Sequence, residues 1–181
     1  MPRPKKKIFK IYVEGKSEVL YFGALKQLDE FRSSAYKLDI EDCKGLDNLL
    51  KILLEPTKKK KVELEKFAKI AFIFDKDDLT LEQFNKINRL HHTYQIGFSN
   101  PKFELWLLAH YESLNANNGS VDDKLKKHFP EYKKGHFKIS DLARNYQTAI
   151  DNSKDIRQVN FKSECTSLVA VIEAILEQTT T

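Results

Sequence analysis

The residues best suited to chemistry in this sequence are carboxylates that follow two apolar segments. Residues 7–13 are mostly apolar and run into Glu14, whereas residues 69–74 run into Asp75 and, two positions later, Asp77. Both segments have the length and the β-branched and aromatic content of strands. Grouped carboxylates repel one another unless a cation lies between them, and oxygen ligands suit a hard divalent cation. The pattern therefore predicts a metal site made by Glu14, Asp75 and Asp77.

The elements between these motifs predict how they come together. Apolar periodicity alternates between strand and helix, and it places strands at residues 7–13, 36–42, 69–74 and 93–98. Such alternation predicts right-handed crossovers and an α/β fold, with a mostly parallel four-stranded sheet flanked by helices. Ligands of open parallel sheets bind beyond the carboxyl ends of the strands, so the three carboxylates are expected at one edge.

Helix-start signals lie between the strands. Ser17 and Thr80 are predicted caps, and Leu81, Phe84 and Ile87 are predicted to face inward from the helix after Thr80. Asn100 before Pro101 is a third start signal, because Asn caps helices and Pro suits the first position.

The helix expected after Pro101 is apolar nearly all round, which predicts burial. Glu104 is its exception, and a buried carboxylate is costly unless it is paired or bound to metal. Two alternatives are a glutamate that faces solvent and one that pairs with a lysine for structural reasons.

Gly15, Lys16 and Ser17 follow the first strand and imitate the end of a phosphate-binding loop. That loop needs a second glycine five residues earlier, where this chain has Lys10 inside the strand. A nucleoside-triphosphate site of this type is therefore excluded. Lys16 remains a candidate for binding a substrate phosphate, with a solvated turn lysine as the alternative.

Further polar residues near the motifs are candidates for supporting the site. Glu18 fits a helix first turn, where acids complement the helix dipole, and Asp78 fits a cap of the next helix. The supporting candidates are Glu18, Asp78, Asn100, Lys102 and Glu104.

Charge and cysteine usage limit the class of protein. In 181 residues, 31 Lys and Arg oppose 26 Asp and Glu, for a net charge of +5. The excess is clustered, which indicates nucleic-acid contact or solvated faces, and Lys16, Lys102, Lys133 and Lys134 are the candidate nucleic-acid-binding residues.

Cys43 and Cys165 are too isolated for a disulfide framework or a zinc site. No apolar stretch reaches membrane-spanning length, so a cytoplasmic protein without a membrane partner is expected.

The polar loop at residues 115–120 is the predicted boundary within the chain. Residues 1–114 form the α/β core in this prediction, and residues 115–181 form a helical appendage packed on it. Helices are expected at 121–129, 139–152 and 163–177. Tyr132, His136 and Phe137 interleave with lysines, as in single-strand binders or in an ordinary interhelical loop.

Three segments together carry a family resemblance: residues 11–18, residues 72–78 and residues 99–108. They resemble the RloB family, whose members have a Toprim-like (Rossmann-like) fold and occur in restriction and abortive-infection loci. The resemblance covers most of the chain. Topoisomerases with this domain also need a nucleophilic tyrosine from a separate domain, for which the chain has no room, so strand passage is not expected.

The resemblance implies a Mg²⁺-dependent (or Mn²⁺-dependent) Toprim-type endonuclease that acts as an effector of bacterial anti-phage defence. It assigns acid/base work to Glu14 and metal binding to Asp75 and Asp77. Lys16 joins these three as a candidate catalytic residue because it could hold a phosphate that flanks the scissile bond. The implied partners are DNA or RNA, including tRNA, and an ABC- or AAA-type ATPase, and self-association is left open. The alternatives are a non-catalytic subunit that binds nucleic acid or the ATPase, and a primase-like nucleotidyl transferase.

Overall fold

The computed structural model describes residues 6–130 and 139–177 of the chain. Through the first three strands, the elements are β1 (Lys7–Val13), α1 (Lys16–Leu25), α2 (Asp29–Ser33), β2 (Tyr36–Asp42), α3 (Leu46–Leu54), α4 (Lys58–Leu64) and β3 (Lys69–Asp75). They continue with α5 (Leu81–Asn88), β4 (Gln95–Asn100), α6 (Glu104–Leu108), α7 (Val121–His128), α8 (Ile139–Arg144), α9 (Tyr146–Asn152), a 3₁₀ turn (Lys154–Ile156), β5 (Cys165–Thr166) and α10 (Leu168–Leu176).

The strands form one mostly parallel sheet in the order β2-β1-β3-β4-β5. The first four strands are parallel, as predicted, and β5 adds a fifth strand antiparallel to β4. The predicted number of strands was therefore one too few. A two-residue strand has too short a pattern for its periodicity to be recognised. No helix in the described ranges is long and apolar enough to cross a membrane.

The sheet separates two apolar clusters because neighbouring residues of a strand face opposite sides. Ile11 and Ile73 belong to the cluster shared with α1, α6, α8, α9 and α10. Tyr12 and Phe72 belong to the cluster shared with α3 and α5. The α/β expectation is thus confirmed, with helices on both faces of the sheet.

The C-terminal segment differs in detail from its prediction. The helix expected over residues 163–177 begins at Leu168, and the one expected over 139–152 is divided at Asn145. Gly97 of β4 lets α10 approach closely, because a Cβ there would lie 3.0 Å from Ile73 Cγ1 and 3.3 Å from Val171 Cγ2. Residues after 115 thus contribute a strand and core helices, while the boundary at 114/115 itself stays a prediction.

Of the two helix starts predicted at Ser17 and Thr80, one is confirmed and one is wrong. Thr80 caps α5 through a capping box with Gln83, as predicted. The residue before α1 is Gly15, so Ser17 lies inside the helix rather than capping it. Leu81 was predicted to face inward but is exposed at 51%. Its place at the helix start, in the first turn, leaves it outside the cluster that Phe84 and Ile87 join.

Candidate functional site

The ends of β1 and β3 lie side by side, because the two strands pair in parallel with Val13 opposite Ile73. The backbone N–H of Glu14 donates to the Ile73 carbonyl at 3.1 Å. In return, the backbone N–H of Asp75 donates to Glu14 Oε2 at 3.0 Å. The Glu14 carboxylate is therefore held across the gap between two strand ends, which confirms that these two motifs converge.

A pocket of about 230 Å³ opens at this edge of the sheet, on the face covered by α1 and α6. Its lining includes the carboxylates of Glu14, Glu18, Asp75 and Glu104. They come from the turn after β1, the first turn of α1, the end of β3 and the start of α6. Gly15, Lys16, Ser17 and Phe103 complete the lining.

Asp75 is strongly affected by the other carboxylates of this pocket. Its side chain is buried, and burial, followed by the negative charges of Glu18 and Glu14, raises its pKa well above the ordinary value for aspartate. A hydrogen bond from the Phe103 backbone opposes this rise in the pKa, and Glu104 adds to it. A carboxyl group in this position gives up its proton reluctantly unless positive charge is supplied.

Glu18 contributes more to the pocket than the sequence indicated. It is only 5% exposed, and it raises the pKa of Asp75 more than Glu14 does. Its Oε2 lies 3.5 Å from where a Cβ on residue 15 would stand, so its carboxylate folds back over Gly15. The sequence pattern explained Glu18 as a first-turn acid that complements the helix dipole. Glu18 was therefore predicted only as a supporting candidate and not as part of the pocket lining. The available signal was its spacing of four residues from Glu14, which returns the chain to the strand end after one helical turn.

Glu104 confirms the expectation of a buried carboxylate. It is 1% exposed at the start of α6, whose residues are buried throughout. Its charge acts on Asp75, so the solvent-facing alternative is wrong. The helix begins later than predicted, because β4 continues through Asn100 and α6 starts at Glu104 itself. The predicted role of Asn100 as a helix cap is therefore wrong.

Asp77 and Asp78 lie outside the lining of the pocket and are exposed. The chain turns after Asp75: the Lys76 backbone N–H donates to the Ser99 carbonyl at 2.9 Å, and that of Leu79 donates to the Lys76 carbonyl at 2.8 Å. This turn carries both aspartates away from the strand axis. Metal binding by Asp77 and support by Asp78 stay predictions.

The remaining candidates have different surroundings. Lys16 is exposed on the pocket lining, where a substrate phosphate could reach it. Lys102 forms an ion pair with Asp122 at 2.6 Å. The Asn100 amide donates to the carbonyls of residues 160, 161 and 163, at 3.2, 3.2 and 2.7 Å, so it anchors the loop before β5. Lys133 and Lys134 lie outside the described residues, as do Tyr132, His136 and Phe137.

The donor set suits a divalent cation, since Mg²⁺ and Mn²⁺ favour carboxylate oxygens. Within residues 6–130 and 139–177, however, no group of three or more His, Cys, Asp or Glu side chains has a geometry that could hold a metal ion. The acidic side chains around Asp75 would therefore have to move closer together to share one ion. The residues fit the cation by chemistry and by charge, and coordination requires a side-chain rearrangement.

Comparison with known proteins identifies a family. A family model described as RloB-like protein matches residues 9–175, which is most of the chain. The match spans the strand ends, the acidic pocket and the C-terminal helix. No curated protein and no solved structure gives a significant match.

Proposed function

We propose that this chain, which belongs to the RloB-like protein family, is a metal-dependent nuclease that cleaves phosphodiester bonds of DNA or RNA. The observation that carries the proposal is the buried Asp75, whose pKa is raised by burial and by the neighbouring Glu18, Glu14 and Glu104. This crowding lies at the carboxyl end of a parallel sheet, the usual place for ligands in such folds.

Crowded carboxylates are hard to explain by stability alone. The charges of Glu18, Glu14 and Glu104 each disfavour the ionised form of Asp75, and apolar residues in their place would remove that repulsion. A purely structural or binding protein gains nothing from such repulsion. A cation-dependent enzyme gains a strong preference for divalent ions, because the ion relieves the repulsion on binding.

Asp75 and Glu14 are the residues best placed to hold the cation, with Glu18 and Glu104 close enough to share it after rearrangement. A bound Mg²⁺ or Mn²⁺ would supply charge neutralisation and polarisation of the scissile phosphate. Glu14 is held in place by the Asp75 backbone, so its carboxylate is suited to moving a proton to or from water or the leaving oxygen. Lys16, exposed on the lining, would contact a flanking phosphate.

The biological role we propose is that of an effector of bacterial anti-phage defence. Its support is the family match together with the three motifs that resemble RloB proteins. An ATPase partner and a DNA or RNA target belong to the same proposal. In this scheme the acidic pocket performs cleavage and the partner controls when it occurs.

The test is a cleavage assay with the purified chain and labelled single- and double-stranded DNA and RNA, including tRNA. Each substrate is incubated with Mg²⁺, with Mn²⁺ and with EDTA. We expect cleavage of at least one substrate with metal, loss of cleavage with EDTA, and strong loss in Glu14→Gln. Asp151→Asn, at an exposed position of α9, is the matched control and should cleave like the wild type.

Two outcomes would contradict the proposal. Cleavage that persists in EDTA and in Glu14→Gln would assign the activity to a contaminant or to another site. Binding of nucleic acid without cleavage, in the presence of a candidate ATPase partner, would instead favour a non-catalytic partner subunit.

A further inference from the structure

A second pocket, of about 270 Å³, lies beside β4 on the face of the sheet that α5 covers. Its inner wall is apolar: Phe74, Phe84, Ile87 and Phe98 are all at least 91% buried. The rings of Phe84 and Phe98 lie 5.2 Å apart, tilted by 54°. These side chains form a packed floor, and the half-buried ring of Tyr94 lines the pocket beside it.

This aromatic pocket is distinct from the acidic pocket. The two share no lining residue. Phe74 immediately precedes Asp75 in β3, and consecutive strand residues face opposite sides of a sheet. The two pockets are thus back to back across the same strand end.

Arg157 gives the aromatic pocket a cation. Its Nη2 donates to the Ile150 carbonyl at 2.7 Å, which fixes the guanidinium. Its Nε is buried and has no hydrogen-bond acceptor in the part of the chain that the structure describes. Among these residues, no carboxylate forms a salt bridge with Arg157, and none lines the pocket. A partly buried guanidinium without an anionic partner is costly, so the site favours a ligand that brings the negative charge.

The rim supplies neutral polar groups. Asn88 and His91 are exposed and Gln95 is half-buried, and all three line the opening. The His91 Nδ1 is engaged with the Asn88 carbonyl at 2.6 Å, which orients the ring. Side-chain amides at such positions provide both donors and acceptors, as the edge of a nucleobase requires.

We propose that the aromatic pocket binds a small planar anion of the mononucleotide class. The heteroaromatic base would lie against the half-buried ring of Tyr94, above the floor that Phe84 and Phe98 form, with its edge near Gln95 and Asn88, and the phosphate would meet Arg157. Aromatic rings accept any base by stacking, and guanidinium is the side chain best matched to phosphate. The volume of about 270 Å³ is close to the lower limit for small-molecule sites, which indicates one nucleotide rather than a longer chain.

The test is isothermal titration calorimetry on the full chain with adenosine 5′-monophosphate (AMP), adenosine and inorganic phosphate as separate probes. We expect saturable binding of AMP, at least tenfold tighter than that of either fragment, because the base and the phosphate use different parts of the site. Binding of AMP no tighter than adenosine would overturn the role of Arg157. Absence of AMP binding up to about 1 mM would overturn the site itself.

Two variants locate the binding. Arg157→Gln removes the cation and should weaken AMP about 10- to 100-fold, while adenosine binding stays unchanged. Its matched control is Arg144→Gln, an exposed arginine away from the lining, which should bind like the wild type.

Ala170→Trp fills the opening from an exposed position of α10 that lines the pocket, and should abolish binding of both AMP and adenosine. Glu173→Trp adds the same bulk to an exposed position of the same helix outside the lining and should have no effect. Ala170→Trp leaves Arg157 and the inner wall in place, so it decides the matter if Arg157→Gln fails to fold. AMP affinity unchanged in Ala170→Trp would overturn the proposal. The readout is binding, so the result is independent of whether the acidic pocket cleaves nucleic acid.

Discussion

Helices α1 and α6 carry buried ionisable groups in two regions that differ sharply in how their charges are arranged. Near their N-termini, Glu18 and Glu104 crowd Asp75 and raise its pKa. Further along the same two chain segments, Tyr21 of α1 contacts His110, which follows α6, and both side chains are neutral. The same pair of elements thus buries one region of repelling acids and one region of matched donors and acceptors.

The Tyr21–His110 pair shows how this core satisfies polar groups. His110 Nδ1 lies 3.1 Å from the Trp106 carbonyl oxygen and therefore donates to it. His110 Nε2 then accepts from the Tyr21 hydroxyl at 3.1 Å. Burial lowers the pKa of His110 to about 4, so the ring stays uncharged near neutral pH. Burial also raises the pKa of Tyr21.

This contrast agrees with a stabilising role for the Tyr21–His110 pair and with the proposed cation-binding role for the acids around Asp75. A fold that pairs Tyr21 with His110 can place polar groups without repulsion, so the acids around Asp75 are not forced by the packing. Sites that bind cations commonly accept such a cost in the absence of the ion. The comparison predicts that substitutions in the two regions will change stability in opposite directions.

The largest expected effect is on activity. Asp75→Asn removes the charge at the centre of the acidic pocket, and cleavage should fall about 1,000-fold or more, because a metal-dependent step loses its ion. The melting temperature should rise, since the repulsion from Glu14 and Glu18 disappears. Single-turnover cleavage and differential scanning calorimetry measure the two effects. A variant with a lower melting temperature and full activity would contradict both the repulsion around Asp75 and its role in cleavage.

The next effect is a pH dependence of stability from His110. Its pKa is about 4 in the folded protein and 6.5 when unfolded, so acidification protonates the unfolded chain first. The contribution is fully present above pH 6.5 and is lost as the pH falls towards about 4, by about 3 kcal/mol in the free energy of unfolding.

Urea titrations across this pH range measure the loss. Asp75 titrates with the opposite sign, because its raised pKa makes protonation favour the folded state, so the measurement is made in Asp75→Asn. His92→Gln, at an exposed histidine, should leave the slope unchanged, whereas His110→Phe should remove the His110 contribution. An equal slope with and without His110 would contradict the assignment.

A smaller effect is expected from Tyr21→Phe. The substitution keeps the ring packed against Phe103 and Trp106 but leaves His110 Nε2 without its donor. A buried acceptor without a partner costs about 1–3 kcal/mol, so the free energy of unfolding should fall by that amount at pH 7.5. Cleavage should not change. A stability equal to that of the wild type would show that the pair does not stabilise the core.

The smallest effect, and of opposite sign, is expected from Glu104→Gln. The amide keeps the shape of the side chain and removes one negative charge near Asp75. The free energy of unfolding should rise, by no more than about 1 kcal/mol. Cleavage should fall if Glu104 shares the cation. Loss of stability without loss of activity would place Glu104 with the structural polar groups instead.

The convergence of Glu14 and Asp75 was predictable from sequence, because two apolar runs that end in acids must meet at one edge of a parallel sheet. Burial of Glu104 was predictable for a similar reason, as its helix is apolar on every side. In each case a local pattern combined with one general rule of α/β folds was sufficient.

Other features depend on contacts that local patterns do not encode. The turn after Asp75 depends on the bond from Lys76 to Ser99 of β4, so the exposure of Asp77 was not visible in the sequence. β5 has only two residues and exists because Asn100 and Ser99 bind the chain before α10. Glu18 was predicted mainly to complement the helix dipole, because a first-turn position is enough to explain an acid there. Its place in the pocket lining depends on how α1 packs beside the strand ends.

The most direct test of the central claim, that the acidic pocket is built for a divalent cation, is thermal unfolding of the wild type and of Asp75→Asn over a titration with Mg²⁺. The wild type should gain stability saturably, by about 1.4 kcal/mol at ten times the dissociation constant, because the ion binds only the folded state. Asp75→Asn should start from a higher melting temperature and show no saturable gain. Equal Mg²⁺-dependent shifts in the two proteins, or none in the wild type, would contradict the account.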